Sequence, residues 1–150
     1  TLDRSSAASD VYKRQCEKLR KKFSSEPGIV RPALCNTDRD KEFADQLVAV
    51  VEKIYSQYNI SIDEFAQMMG MGRTVFYKKL RGVTGYSPNE YLRVVRMKKA
   101  AELFLTERNL TVAEVSYKVG INDPLYFSKC FKAQFGVSPS AYQKGERNKA

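Results

Sequence analysis

The chain has 150 residues, 43% of them hydrophobic, enough for one domain with a tail, and 26 Lys+Arg against 17 Asp+Glu leave it at +9. That balance favours a polyanionic partner, nucleic acid or an acidic membrane surface. The lack of histidine removes the commonest general base and metal ligand, and Cys16, Cys35 and Cys130 have no paired spacing, so neither a zinc site nor a disulfide framework is indicated.

Residues 1–38 read as a tail or linker. Thr1 to Gln15 is polar and rich in Ser and Ala, and residues 1–20 lack the apolar stretch of a secretory signal. Tyr12, Cys16, Leu19 and Phe23 fall at helical spacing among Lys18, Arg20, Lys21 and Lys22: the frayed last helix of a preceding domain, or a basic connector. Ser24-Ser25-Glu26-Pro27-Gly28 and Arg31-Pro32 then break any helix.

A domain over 39–150 follows. Asp38 is the predicted N-cap of a helix from Arg39 to Tyr58, with Phe43, Leu47, Val50, Val51 and Ile54 as its apolar stripe. Ser61 and Glu64 form a capping box for a short helix, Ile62 to Met69, which buries Ile62, Phe65, Ala66 and Met69 and stops at Gly70. A turn leads to a helix from Arg73 to Val83, in which Val75, Phe76, Leu80 and Val83 read as core. Ser87-Pro88, with Glu90 three residues after the serine, starts a longer helix reaching about Glu107. Twenty residues at 1.5 Å make roughly 30 Å, close to the 34 Å or so of one DNA turn. Thr111 and Glu114 cap Val112 to Val119, Asp123-Pro124 starts a helix to Phe135 with Phe127, Phe131 and Phe135 as core, and Ser138-Pro139 starts a last short one. No apolar run approaches membrane-spanning length.

The second half repeats itself. Phe76, Lys78, Gly85, Ser87, Pro88 and Tyr91 recur 51 residues later as Phe127, Lys129, Gly136, Ser138, Pro139 and Tyr142. Glu64 and Gly70 recur as Glu114 and Gly120 at an offset of 50. Each copy is a short helix, a Gly-containing turn and a second helix, the outline of a helix-turn-helix. The fold class is therefore all-α: two helix-turn-helix subdomains joined by a long linker helix, about seven helices in all.

From Arg39 to Lys144, about 70% of the chain, the sequence closely resembles the DNA-binding domain of AraC/XylS-type transcription regulators. The resemblance rests on Ala100-Ala101-Glu102-Leu103-Phe104-Leu105, Val112 through Ile121, Tyr126-Phe127-Ser128-Lys129-Cys130-Phe131-Lys132 and Phe135-Gly136-Val137-Ser138-Pro139. A narrower likeness, in Lys22-Phe23-Ser24-Ser25-Glu26-Pro27, Met71 through Leu80 and Thr84 through Tyr91, is to the output end of hybrid two-component sensors of gut Bacteroides-type bacteria. There a receiver domain precedes the linker, which implies that this chain is a fragment. The resemblance implies double-stranded promoter DNA and RNA polymerase as partners. It also implies a cytoplasmic setting, no cofactor, no enzymatic activity and no membrane contact by this part. A two-unit reader can act as a monomer or a weak dimer.

Reading residues follow from the outward faces of the two second helices. By resemblance Thr74, Tyr77 and Lys78 fall at base-reading positions; for Tyr77 the competing reading is packing against core or backbone. Arg73 suits a guanine edge or a phosphate. Lys79 and Arg81 are phosphate candidates. In the second copy Asn122, Leu125, Ser128 and Lys129 are candidate base readers, Leu125 against a thymine methyl, and Lys132 is a phosphate candidate. Asp123 reads as a cap, and Tyr126 is open between core and surface. Arg93 and Arg96 suit phosphate contacts or inter-unit salt bridges. Free N–H groups near Ser61, Arg73, Thr111 and Pro124 are further anion candidates. Between Arg73 and Lys99 eight cations face one acid, Glu90. The alternatives are a helical adaptor for acidic proteins, a coat for duplex DNA without sequence choice, and an enzyme. The last lacks histidine, a metal cluster and a phosphate loop.

Overall fold

The computed structural model describes residues 11, 14, 15, 17, 18, 20–25, 27, 28 and 37–145. The described parts of residues 11–25 are helical and are termed α1. Then follow α2 (Asp38–Ile54), α3 (Ile62–Met68), α4 (Arg73–Thr84), α5 (Pro88–Thr106), α6 (Val112–Lys118), α7 (Pro124–Phe135) and α8 (Pro139–Gln143). No strand occurs among the described residues.

The start signals act as their chemistry requires. The side chains of Ser61, Ser87, Thr111 and Ser138 each accept from the backbone N–H three residues on, satisfying a donor the helix cannot. At the first helix the cap is Thr37, not the expected Asp38: the Thr37 hydroxyl accepts from Asp40 N–H at 3.1 Å. Asp38 instead supplies negative charge to the first turn. That helix also ends four residues earlier than its pattern suggested, and the cause is tertiary. Arg96 of α5 donates to the carbonyls of Tyr55 and Gln57, at 2.9 and 2.7 Å, which turns the chain out of the helix there.

Two cores form, and α5 belongs to both. The first gathers Phe43, Leu47, Val51 and Ile54 of α2, Phe65 of α3, Phe76 and Leu80 of α4, and Tyr91 and Val95 from the first half of α5. The second gathers Met97, Ala101 and Phe104 from the second half of α5 with Val115, Phe127, Phe131 and Tyr142. The linker helix is thus no exposed strut: its two ends are each the wall of a core. Ile62 and Phe135 are only partly buried, and Val75, expected in the core, is 60% exposed.

The units also meet outside α5. Tyr55, at the end of α2, packs against both cores, and its carbonyl lies where a Cβ on Gly120 would come within 2.5 Å. On another side, part of the predicted tail is built in. Phe23 is buried in the first core and stacks on Tyr91 at 5.9 Å; Arg20 pairs with Glu90 at 3.4 Å, and Tyr86 Oη donates to Arg20 O at 3.0 Å. Tyr12, Cys16 and Leu19 lie outside the described residues.

Candidate nucleic-acid interface

The two second helices present the same register. In α4, Phe76 and Leu80 are buried; their equivalents in α7, Phe127 and Phe131, are buried too. Thr74, Val75, Lys78 and Arg81 are exposed, and so are the residues 51 positions on, Leu125, Tyr126, Lys129 and Lys132. The reason is geometric: with 3.6 residues per turn, two buried residues four apart share one face, and these exposed positions lie on the side opposite to it.

On α4, Arg73 is exposed, with only a loose approach of 4.0 Å to the equally exposed Asp63. Thr74 and Lys78 are exposed. Tyr77 is 40% exposed and its hydroxyl accepts from Arg81 at 3.5 Å, so it lies on the outer face beside a cation and outside the core. Gly72, the N-cap, offers no side-chain bond, and the first turn carries no acid. The helix's own first turn thus sets no carboxylate against its backbone N–H groups, a setting that suits an anion.

On α7, Leu125 is 79% exposed and Asn122, Lys129 and Lys132 are exposed; Ser128 is half-buried. Asp123 is a cap, its carboxylate accepting from Leu125 N–H at 3.1 Å and Tyr126 N–H at 3.3 Å. Ser61 and Thr111 are likewise occupied as caps of α3 and α6.

The basic cluster divides in two. Lys79 makes a 2.6 Å ion pair with Asp40 and sits over the Phe43 ring, tying α4 to α2. Lys98 is fully buried and donates to Phe23 O. Lys99 pairs with Glu52 at 2.9 Å. Arg96 holds the Tyr55 and Gln57 carbonyls rather than forming a salt bridge, and burial lowers its pKa from the ordinary value, partly countered by Tyr126. Lys79 and Arg96 therefore leave the set of phosphate candidates: each would have to abandon a structural partner to meet one. Exposed Arg73, Lys78, Arg81 and Arg93 remain.

Arg93 links the two halves of the surface. It lines one cleft with Asn89, Arg96, Ile121 and Tyr126, and a second with Tyr86, Lys129 and Gln134. Val75 and Tyr126 are the outward residues that pattern reading missed or left open. Their signal was available in the repeat: each is the residue just before a buried phenylalanine, at equivalent positions in the two copies.

A family profile described as a helix-turn-helix domain matches residues 65–145. The chain belongs to the AraC-type helix-turn-helix family. It is a sequence-specific DNA-binding transcription-regulator domain. It is 41% identical over 97 residues to the Msm operon regulatory protein of Streptococcus mutans, covering 63% of this chain and 34% of that protein. It is 32% identical over 126 residues to histidine kinase P4 of Formosa agariphila, covering 84% of this chain and 9% of the kinase. The chain thus spans about a third or less of these curated relatives. Among solved structures it is similar to the DNA-binding domain of AdpA, determined in complex with a target DNA, at 25% identity and a TM-score of 0.62, covering 72% of this chain and 97% of that one. It is also similar to the C-terminal domain of AraT, a response regulator of Geobacillus stearothermophilus, at 27% identity and a TM-score of 0.61, covering 74% and 88%. No helix among the described residues is long and apolar enough to cross a membrane.

Proposed function

We propose that this domain seats α4 and α7 in successive major grooves of promoter DNA. Arg73, Thr74, Tyr77 and Lys78 read bases from the first helix, and Asn122, Leu125, Ser128 and Lys129 from the second. Arg81, Arg93 and Lys132 meet phosphates, and Val75 and Tyr126 join the base-facing row. The observation that carries this is the shared register: two helices 51 residues apart in sequence expose equivalent positions while burying equivalent phenylalanines. Helices docked by the same face offer the same face outward, which is what a two-groove reader requires.

The reading extends to the whole protein. A sensor or receiver domain precedes this one, RNA polymerase is the effector partner, and the work is done in the cytoplasm by binding rather than by catalysis. One domain with two readers needs no second copy to bind. The likeness to part of a histidine kinase and to a response-regulator domain supports that arrangement.

The test is selection of duplexes from a random pool by the purified chain, followed by titration of the selected duplex against salt. The three cations assigned to phosphates (Arg81, Arg93 and Lys132) predict a slope of log K against log salt of about −3, steepening towards about −5 where Arg73, Lys78 and Lys129 also displace counterions. Selected and scrambled duplexes should differ about 10³-fold or more. A flat salt response, or equal affinity for scrambled DNA, would remove the reading.

A further inference from the structure

The repeat changes character at an inward-facing position of its second helix. Val83 of α4 is 2% exposed and packs in the first core. Its equivalent in α7, 51 residues on, is Gln134. Gln134 is half-buried, and its amide donates to two carbonyls: Ser24 O of α1 at 2.8 Å and Val94 O of α5 at 3.2 Å. An amide at a position where the other copy keeps an aliphatic side chain must find partners there or lose stability. The partners lie in the connector and the linker helix, so one side chain of the second reading helix joins three elements.

The same end of α1 is held from the other side. Lys98 of α5 donates to Phe23 O and lies 3.9 Å from the Phe23 ring centre. Gly28 N–H donates to Lys98 O at 3.0 Å. Phe23 and Arg20 meanwhile bind α1 to Tyr86, Tyr91 and Glu90 of the first unit. The last carbonyls of α1 are thus capped by one donor from α5 and one from α7, and its side chains are anchored in the first unit. A segment so placed cannot move without moving the second reader relative to the first.

We propose that Gln134 is a positioning residue: by tying α7 to α1 and α5, it sets the angle and separation of the second reading helix, and makes them depend on the connector. The proposal rests on α7 being a reader. It gives a preceding domain a route to the DNA surface, since a pull on α1 is delivered to α7 through the Ser24–Gln134 bond.

The decisive variant is Gln134→Glu, which keeps shape and helix propensity and removes the donor. The probe is a duplex selected from a random pool by the parent chain, and its derivatives with one or two base pairs inserted or deleted between the two half-sites. The parent should lose about tenfold or more in affinity at each altered spacing. Gln134→Glu should compress that penalty to about threefold or less, with the affinity for an isolated half-site within about twofold of the parent. Gln134→Lys, which restores a donor, should restore the spacing penalty. A DNA-free measurement keeps the matter independent: residual dipolar couplings of the two units fit one alignment tensor in the parent and diverge in Gln134→Glu. An unchanged spacing profile together with unchanged couplings would overturn the proposal. If the parent selects no duplex, the groove-reading assignment falls on its own, and the dipolar couplings still decide whether Gln134 sets the angle.

Discussion

The two reading helices share a register and differ in chemistry. The first, α4, begins with an uncapped turn and offers Arg73, Lys78 and Arg81; the second, α7, begins behind the Asp123 carboxylate and offers Leu125, Tyr126 and Lys129. A guanidinium fork can take a guanine edge in two hydrogen bonds, while a leucine can only fill space beside a thymine methyl. On the proposed reading, one scaffold supports a helix that chooses by hydrogen bonding and charge and another that chooses by shape. The scaffold is indifferent because Phe76 and Phe127 do the same work in each core.

The largest difference between the copies should appear in stability, at their turns. Gly70 and Gly120 both adopt positive φ, but a Cβ on Gly70 would meet nothing within 4 Å, while one on Gly120 would meet Tyr55 O at 2.5 Å. Gly70→Ala should cost about 1 kcal/mol and Gly120→Ala about 3 kcal/mol, read by thermal unfolding. Equal shifts in Tm would remove the second inter-unit junction from the account.

Next comes binding. Arg73→Ala should weaken the selected duplex by about 1–3 kcal/mol and relax its preference at one position. Leu125→Ala should cost less, about 1 kcal/mol, and replacing the contacted thymine by uracil should reproduce that loss in the parent but not in the variant. If uracil costs the parent nothing, the second helix does not read a methyl.

Asp123→Asn sharpens the comparison further. Asparagine caps as well as aspartate, so stability, read by thermal unfolding, should change by a few tenths of a kcal/mol at most. Removing a negative charge beside phosphates should then tighten binding by about 0.3–1 kcal/mol, making α7 more like α4. Unchanged or weaker affinity would mean that the N-terminus of α7 does not approach the backbone.

The smallest effect is expected from pH. With no histidine, affinity should be flat between about pH 6 and 8. Burial raises the Tyr86 phenol above its ordinary 10.0, with Arg20 opposing. The folded state therefore favours the protonated phenol: that stabilisation is complete below pH 10 and is lost as pH rises through the folded value. A step in affinity near neutrality would point to a titrating group outside this scheme.

Most of the element starts and the alternation of buried and exposed positions were legible, because each depends on residues within one turn. Ser87, Pro88 and Glu90 sit side by side in sequence, and so do Asp123 and Pro124. Lys79 and Lys78 are indistinguishable on that scale. Only the approach of α2 engages one with Asp40 and leaves the other outward. Val75 is apolar yet outward, because the inward face is already filled by Phe76 and Leu80. The end of α2 is likewise set from a distance: the carbonyls just beyond it, of Tyr55 and Gln57, are held by Arg96, 41 residues from Tyr55.

The sequence by itself determined an all-helical, twice-repeated reader with a basic outer face, since periodicity, caps and repeats act locally and survive without a partner. Tertiary structure alone decided which cations are available, where the connector joins the domain and how the two readers are held. Those depend on donors and carbonyls distant in sequence, such as Gln134 and Ser24, meeting across a packed interface. No spacing rule along the chain encodes that meeting.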